Sequence, residues 1–296
     1  MKLLDGKLIA DQIKDELARE VRENFIDKGL NPPHLAAILV GEDPASLSYV
    51  AGKERSCREV GFTSSVYRYP ENISREKLFE VIDFLNHDPE ISGFIVQLPL
   101  PQHISEQEVI ERIDPSKDVD GFHPVNLGKM MLNLPCFLPA TPKGIMTLLE
   151  RYQIETSGKN CVVLGRSNIV GTPVSVLLSR KSNPGNATVT LCHSLSQNIR
   201  SLTAQADILI AAIGKQGFVT ADMVKNDAVV IDVGIHRIPS ETSKSGFRLV
   251  GDVDFHGVSK KCSYITPVPG GVGLMTVVSL LQNTLAAARM KLPAVQ

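Results

Sequence analysis

Short apolar runs alternate with amphipathic stretches along this chain, and that alternation restricts the fold more than any other feature. "HLAAILV" (34–40), "SSVYRY" (64–69) and "GFIVQL" (93–98) have the apolar, β-branched character of strands. Between them, "SLSYVAGKERSCREVG" (46–61) and "SREKLFEVIDFLNHD" (74–88) carry apolar residues at helical spacing. Ahead of all of them, Ile9, Ile13, Leu17, Val21 and Phe25 recur every four residues along one side of a first helix. Strands that alternate with helices predict a mostly parallel sheet covered on both faces, which places the chain in the α/β class.

The pattern restarts near residue 140. "LPATPKGIMTLLERYQI" offers a helix start, with Ile145, Leu148, Leu149 and Tyr152 on its apolar side. Strand candidates "NCVVLG", "ATVTLC", "ADILIAAIG", "DAVVIDVG" and "CSYIT" follow, and "GLMTVVSLLQNTLAAARM" (273–290) closes as a long helix that is expected to pack back on the first domain. "PSETSKSGF" (239–247) reads as a polar surface loop. A length of 296 residues suits two domains, each able to bury a core without disulfides.

Charge and cysteine usage remove whole classes of function. With 31 basic and 32 acidic residues the chain carries no nucleic-acid footprint, and its apolar runs are too short to span a bilayer. No apolar signal segment opens the chain, and the five cysteines lie far apart without a C-x-x-C pair. A cytoplasmic protein with reduced thiols is expected, with no nucleic-acid or membrane partner.

Several local patterns carry chemistry. In "CVVLGRSNIVGTPVSVLLSR" (161–180) a strand runs through Gly165 into a helix, with Gly171 separated from it by five residues rather than in G-x-G-x-x-G register. Such a turn either holds a phosphate over the helix N-terminus, with Arg166 as counter-ion, or simply turns a corner. The next strand ends in His193 and Ser194, where an NAD-preferring site offers a carboxylate, so NADP is the expected dinucleotide if one binds. Otherwise His193 is an unliganded loop histidine. Tyr49 and Lys53 share a helix face four residues apart, an ordinary spacing that gains meaning only beside Gln97 at the end of a strand. "DPSKDVDGFHP" (114–124) places Asp114, Asp118 and Asp120 in one loop, where they either cap turns or serve a site. A calcium loop fails there, because the alignment puts Leu127 in the glutamate place. In "YITPVPGGVGLMT" (264–276) three glycines and two prolines shape a loop able to bare its backbone to a planar ligand.

Taken in order, "YVAGK" (49–53), "VQLPLPQH" (96–103), "DPSKDVDGFHPVNLGKM" (114–130), "ATPKGI" (140–145), "GRSNIVGTP" (165–173), "DVGIHR" (232–237), "GDVDF" (251–255) and "TPVPGGVGLMT" (266–276) resemble the bifunctional methylenetetrahydrofolate dehydrogenase/methenyltetrahydrofolate cyclohydrolase family, the FolD type. The resemblance implies two α/β domains around a cleft, the second Rossmann-like, in a homodimer that uses NADP and a folate substrate; no metal-ligating residues are expected. It implies a folate-binding catalytic domain over 1–139 plus a C-terminal helix 274–296, and an NADP-binding domain over 140–273. By position it makes Lys53 the catalytic lysine and Tyr49 the ring that stacks on folate. Gln97 would tune Lys53, Asp120 would grip the pterin, and Leu98, Pro99, Pro269, Gly270 and Gly271 would join them in binding substrate. Gly165, Arg166, Ser167, Ile169, His193, Ser194, Ile235 and Gly273 would hold the cofactor. Two positions depart from the family pattern. Leu195 stands where a basic residue often follows the serine, removing one contact to a 2′-phosphate, and Leu274 replaces the proline common after the last glycine. A shikimate-type dehydrogenase and a catalytically silent nucleotide-binding module are the rival readings.

Overall fold

The computed structural model describes residues 1–241, 243 and 246–292. In chain order the elements are β1 (Lys2–Leu3), α1 (Gly6–Asn24), β2 (His34–Val40), α2 (Pro44–Glu59), β3 (Thr63–Tyr69), α3 (Arg75–His87), β4 (Gly93–Val96), α4 (Glu106–Arg112) and α5 (Pro124–Met131). They continue with α6 (Ala140–Arg151), β5 (Asn160–Leu164), α7 (Gly171–Ser179), β6 (Thr188–Cys192), α8 (Ile199–Thr203), β7 (Ile208–Ala211), β8 (Val229–Asp232), β9 (His236–Pro239), β10 (Phe247–Val250), α9 (Phe255–Val258), β11 (Tyr264–Ile265) and α10 (Val272–Met290). The helix starts follow from capping chemistry. Asp43 accepts the Ser46 N–H at 2.8 Å ahead of Pro44, so α2 begins two residues before its apolar pattern does. Ser74 and Ser105 cap α3 and α4 in the same way.

The chain divides into two compact units, one comprising Met1–Ala10 and Thr141–Thr276, the other Asp11–Ala140 and the chain from Val277 onward. In the second of these, a parallel sheet runs in the order β3-β2-β4, with β2 central. Ala36, Ile38, Val40, Leu78, Ile82, Leu85 and Phe94 build its core. The helical stripe Ile13, Leu17, Val21 and Phe25 is buried, as its spacing predicts. The final helix contributes Asn283, whose side-chain amide donates to the carbonyls of Val119 at 2.8 Å and Leu138 at 2.9 Å. The C-terminal segment therefore belongs with the early strands, although residues 293–296 lie outside the described residues.

In the other unit the parallel order is β1-β11-β8-β7-β5-β6. From β5 the chain crosses through α7 to β6 on one side, while β7 lies on the other, so the direction of winding reverses at β5. Val162, Leu164, Leu209, Val230 and Ile265 fill the core on one face. The first ten residues, expected with the early domain, group with this unit instead: Lys2 and Leu3 pair with Tyr264 and Ile265, and Leu4 is fully buried. Such a two-residue strand has no periodicity of its own to read. The polar stretch 239–247 is flanked by the antiparallel pair β9–β10, whose alternating half-exposed residues hide it from an apolar-run criterion; residues 242, 244 and 245 lie outside the described residues. Among the described residues no helix is long and apolar enough to cross a membrane.

Replacing Asn283 by Ala leaves one buried and one half-buried carbonyl without this donor. We expect a loss of about 2 kcal/mol or more in stability, read as a lower midpoint in urea unfolding.

Candidate functional site

The residues anticipated from sequence fall into two groups, one in each unit. On the β3-β2-β4 unit, the helical spacing of α2 sets Tyr49 and Lys53 one turn apart. Gln97 follows β4 directly, and its backbone N–H still pairs with the Ile38 carbonyl at 2.9 Å, so the strand register fixes where its side chain begins. The Lys53 amine donates to Gln97 Oε1 at 3.1 Å. Gln97 Nε2 is committed to the Leu98 carbonyl at 2.7 Å, which orients the amide with its acceptor toward the lysine. Leu98 and the cis-linked Pro99 continue the exit from the strand.

Electrostatics distinguish this lysine from the exposed ones. Lys53 keeps some exposed surface, yet the protein around its tip strips its hydration and lowers its pKa; Asp120 pulls the other way without prevailing. Asp120 behaves reciprocally. Burial pushes its carboxyl up to about 6, the Lys53 charge opposes that rise and Asp118 adds to it. Cys57, one turn beyond Lys53, is buried with its thiol pushed up to about 12 and stays neutral. Tyr49 is 39% exposed, and burial of the rest of its ring raises its hydroxyl pKa.

The three loop aspartates have separate tasks. Asp114 accepts from the Ser116 N–H and hydroxyl at 2.7 and 2.6 Å and caps a turn. Asp118, 2% exposed, accepts from the backbone N–H groups of Gly121, Phe122 and His123 and from Asn126 Nδ2, at 3.1, 3.2, 2.8 and 2.8 Å. That carboxylate shapes the turn that carries Asp120, and Asp120 in turn accepts the Ala140 N–H through its backbone carbonyl. Of the two readings left open for Asp118 from sequence, turn capping is the one its partners fit, though in a buried rather than a solvated turn. The signal was present in "DVDG", where two aspartates flank one apolar residue ahead of a turn glycine.

On the six-stranded unit, Gly165 has φ +102°, and a Cβ there would overlap the Ala212 carbonyl; a Cβ on Gly171 would overlap the carbonyl of Gly165. Close packing of strand end on turn therefore demands both glycines. The first N–H groups of α7 already have acceptors. Ser167 Oγ accepts from Val170 N at 3.2 Å and Gly171 N at 3.5 Å, while the Ser167 carbonyl takes Thr172 N at 3.1 Å. Ser167 thus caps the turn, and Arg166 and Ile169 stand exposed on it. At the end of β6, His193 Nδ1 accepts the Leu195 N–H at 3.2 Å, Ser194 is exposed and Leu195 is 79% exposed. Ile235 leans over Gly273, where an added Cβ would lie 3.3 Å from Ile235 Cδ1. Pro269, Gly270 and Gly271, expected to bind substrate, belong to this unit; Gly270 has φ +104° and Gly271 is buried.

This α/β architecture, with one unit carrying a desolvated lysine and the other a glycine turn at the reversal of its sheet, has close counterparts. The NAD(P)-binding domain of tetrahydrofolate dehydrogenase/cyclohydrolase matches residues 139–292, and the catalytic domain matches residues 4–120. A bifunctional protein FolD of Cytophaga hutchinsonii is 61% identical over 98% of this chain and 100% of its own length. The crystal structure of the FolD methylenetetrahydrofolate dehydrogenase/cyclohydrolase from Campylobacter jejuni superposes with TM-score 0.92 at 48% identity, covering 99% of this chain and 100% of that one. The Trypanosoma brucei dehydrogenase-cyclohydrolase, solved with NADP cofactor and inhibitor, gives TM-score 0.92 at 37% identity over 98% of both chains. The chain belongs to the tetrahydrofolate dehydrogenase/cyclohydrolase family.

Because Asp120 raises the Lys53 pKa, removing its charge has a definite sign. In Asp120→Asn the Lys53 titration, followed by NMR of labelled lysine, is expected to move to lower pH.

Proposed function

We propose that the chain oxidises 5,10-methylenetetrahydrofolate to 5,10-methenyltetrahydrofolate with NADP+ and hydrolyses that product to 10-formyltetrahydrofolate. The observation that carries this is the Lys53 amine, bonded to Gln97, with its pKa depressed by burial despite the facing carboxylate of Asp120. Family membership supports the reaction pair, and the glycine turn supports the cofactor, since its missing Cβ atoms make room for backbone packing that leaves Arg166 exposed. When bound, NADP+ supplies the two-electron acceptor for the methylene carbon. Gly165, Arg166, Ser167, Ile169, His193, Ser194, Ile235 and Gly273 would hold it, and the absence of a carboxylate beside His193 leaves room for a 2′-phosphate.

The chain's own groups do the rest. Asp120 accepts hydrogen bonds from the pterin amino group and ring N–H, and Tyr49 stacks on the ring, with Leu98 and Pro99 beside them in the same unit. This fixes the one-carbon bridge between N5 and N10 for both steps. In hydrolysis, water adds to the methenyl carbon and neutral Lys53 takes the proton lost from that water. The C–N5 bond of the resulting carbinol then breaks as its hydroxyl becomes the formyl carbonyl, the hydroxyl proton passes to N5 and the formyl group remains on N10. Gln97 keeps the amine in register by accepting one of its hydrogens. The pH dependence follows from two signs. Lys53 gains its neutral form at lower pH than an ordinary lysine, and Asp120 needs pH above about 6 to be the carboxylate. A cytoplasmic homodimer completes the proposal; Phe247 and Leu249, exposed on one side of β10, offer an apolar contact for a second copy.

Purified protein with methylenetetrahydrofolate and NADP+ tests the whole. Cofactor reduction that requires the folate supports the proposal, reduction that requires shikimate supports that rival, and no reduction supports a silent module. Lys53→Met is expected to lower methenyl hydrolysis by about 100-fold or more with NADP+ affinity nearly intact; unchanged hydrolysis would refute the role of Lys53. Arg166→Ala is expected to weaken NADP+ binding by about tenfold while NAD+ is little affected, measured by fluorescence titration of both; equal losses would show that Arg166 does not read the 2′-phosphate.

A further inference from the structure

Two carboxylates buried at the carboxyl edge of the six-stranded sheet have no part in the chemistry above. Asp252 has none of its surface exposed and Asp232 only 4%. Asp252 Oδ2 accepts the backbone N–H groups of Ile213 at 2.8 Å and Gly214 at 2.9 Å, and its Oδ1 faces His236 Nε2 at 2.8 Å. Asp232 Oδ1 accepts from Asp252 N at 2.9 Å and Gly234 N at 3.0 Å, and its Oδ2 accepts from Val253 N at 3.0 Å. The Asp232 N–H itself donates to Thr266 Oγ1 at 2.7 Å, where the glycine loop toward Gly271 begins. Gly234 and Gly251 fit only because a Cβ on either would overlap one of these carboxylates. Three chain segments are therefore tied through two acidic side chains, and the backbone N–H of Asp232 ties in a fourth at Thr266.

We propose that Asp252 is a positioning residue for the dinucleotide, its carboxylate setting the loops that follow β7 and β8 against the glycine turn after β5. With the cofactor reading above as its basis, three placements carry the inference. Ile213 and Gly214 adjoin Ala212, the carbonyl on which Gly165 packs. His236 adjoins Ile235, which leans over Gly273. Both loops lie at the carboxyl ends of strands beside the point where the sheet reverses its winding, where open parallel sheets hold ligands. A fully buried side chain cannot touch the cofactor, so Asp252 acts through the backbone it holds. An unpaired buried N–H is costly enough to make those loops shift when the acceptor is removed.

The test compares wild type, Asp252→Ala and Asp252→Asn in steady-state oxidation, varying NADP+ and methylenetetrahydrofolate separately, and in methenyl hydrolysis assayed without cofactor. In the alanine variant we expect KM for NADP+ to rise by about tenfold or more, with the folate KM and hydrolysis changed by less than about twofold. Asparagine should recover most of the loss, because its amide oxygen accepts both N–H groups. An unchanged NADP+ KM in the alanine variant overturns the inference. So does a parallel fall in hydrolysis that asparagine does not relieve, which would mark a general defect in folding. Wild-type protein that fails to bind NADP+ in a fluorescence titration overturns the cofactor reading itself.

Discussion

Removing Lys53 from water costs the protein stability, because an ammonium surrounded by side chains loses hydration that one carboxylate does not restore. The neighbouring groups are arranged around that cost. Asp120 lies close enough to raise the Lys53 pKa but is itself desolvated, so its charge offsets only part of what burial takes from the amine. Gln97 satisfies the amine without adding charge, since an amide oxygen accepts from the ammonium and the free amine alike. A carboxylate in that place would hold the proton on the lysine and remove the base. The preference for an amide is thus a consequence of what the amine must do.

A second device recurs in both units. Asp118 accepts four donors in one unit, and Asp232 and Asp252 together gather backbone donors from several segments in the other. In each case a buried carboxylate replaces the hydration of backbone groups that irregular loops leave unpaired. Loops at the carboxyl ends of parallel strands have no sheet partners at that point, and they need fixed geometry to present side chains. Acidic residues that bind backbone supply it without a metal or a disulfide.

How much of this was legible in the sequence depended on the range of the interactions. The apolar run "HLAAILV" became β2 because burial on both faces leaves a continuous signal, and the four-residue stripe from Ile9 to Phe25 became a buried helix face for the same reason. The proximity of Lys53 and Gln97 had to be inferred, since a separation of 44 residues carries no local trace. Asp118 and Asp252 were harder still. Their partners are backbone N–H groups, which have no identity in a sequence, so the letters announce a carboxylate but not what it holds. β1 and the β9–β10 pair were missed because they are short and half-exposed, and their place is decided by distant strands rather than by their own composition.

The chain passes from one compact unit to the other and back, with α1 and α10 each divided between them. Neither unit corresponds to one uninterrupted stretch of polypeptide. During synthesis the unit that contains Lys53 lacks Asn283 and the rest of α10 until the final helix has left the ribosome, so its earlier strands must wait with apolar surface uncovered. The same threading restricts how such proteins can be assembled by genetic fusion: cutting at residue 140 and grafting either half elsewhere would carry away a β-strand from one unit and a helix from the other.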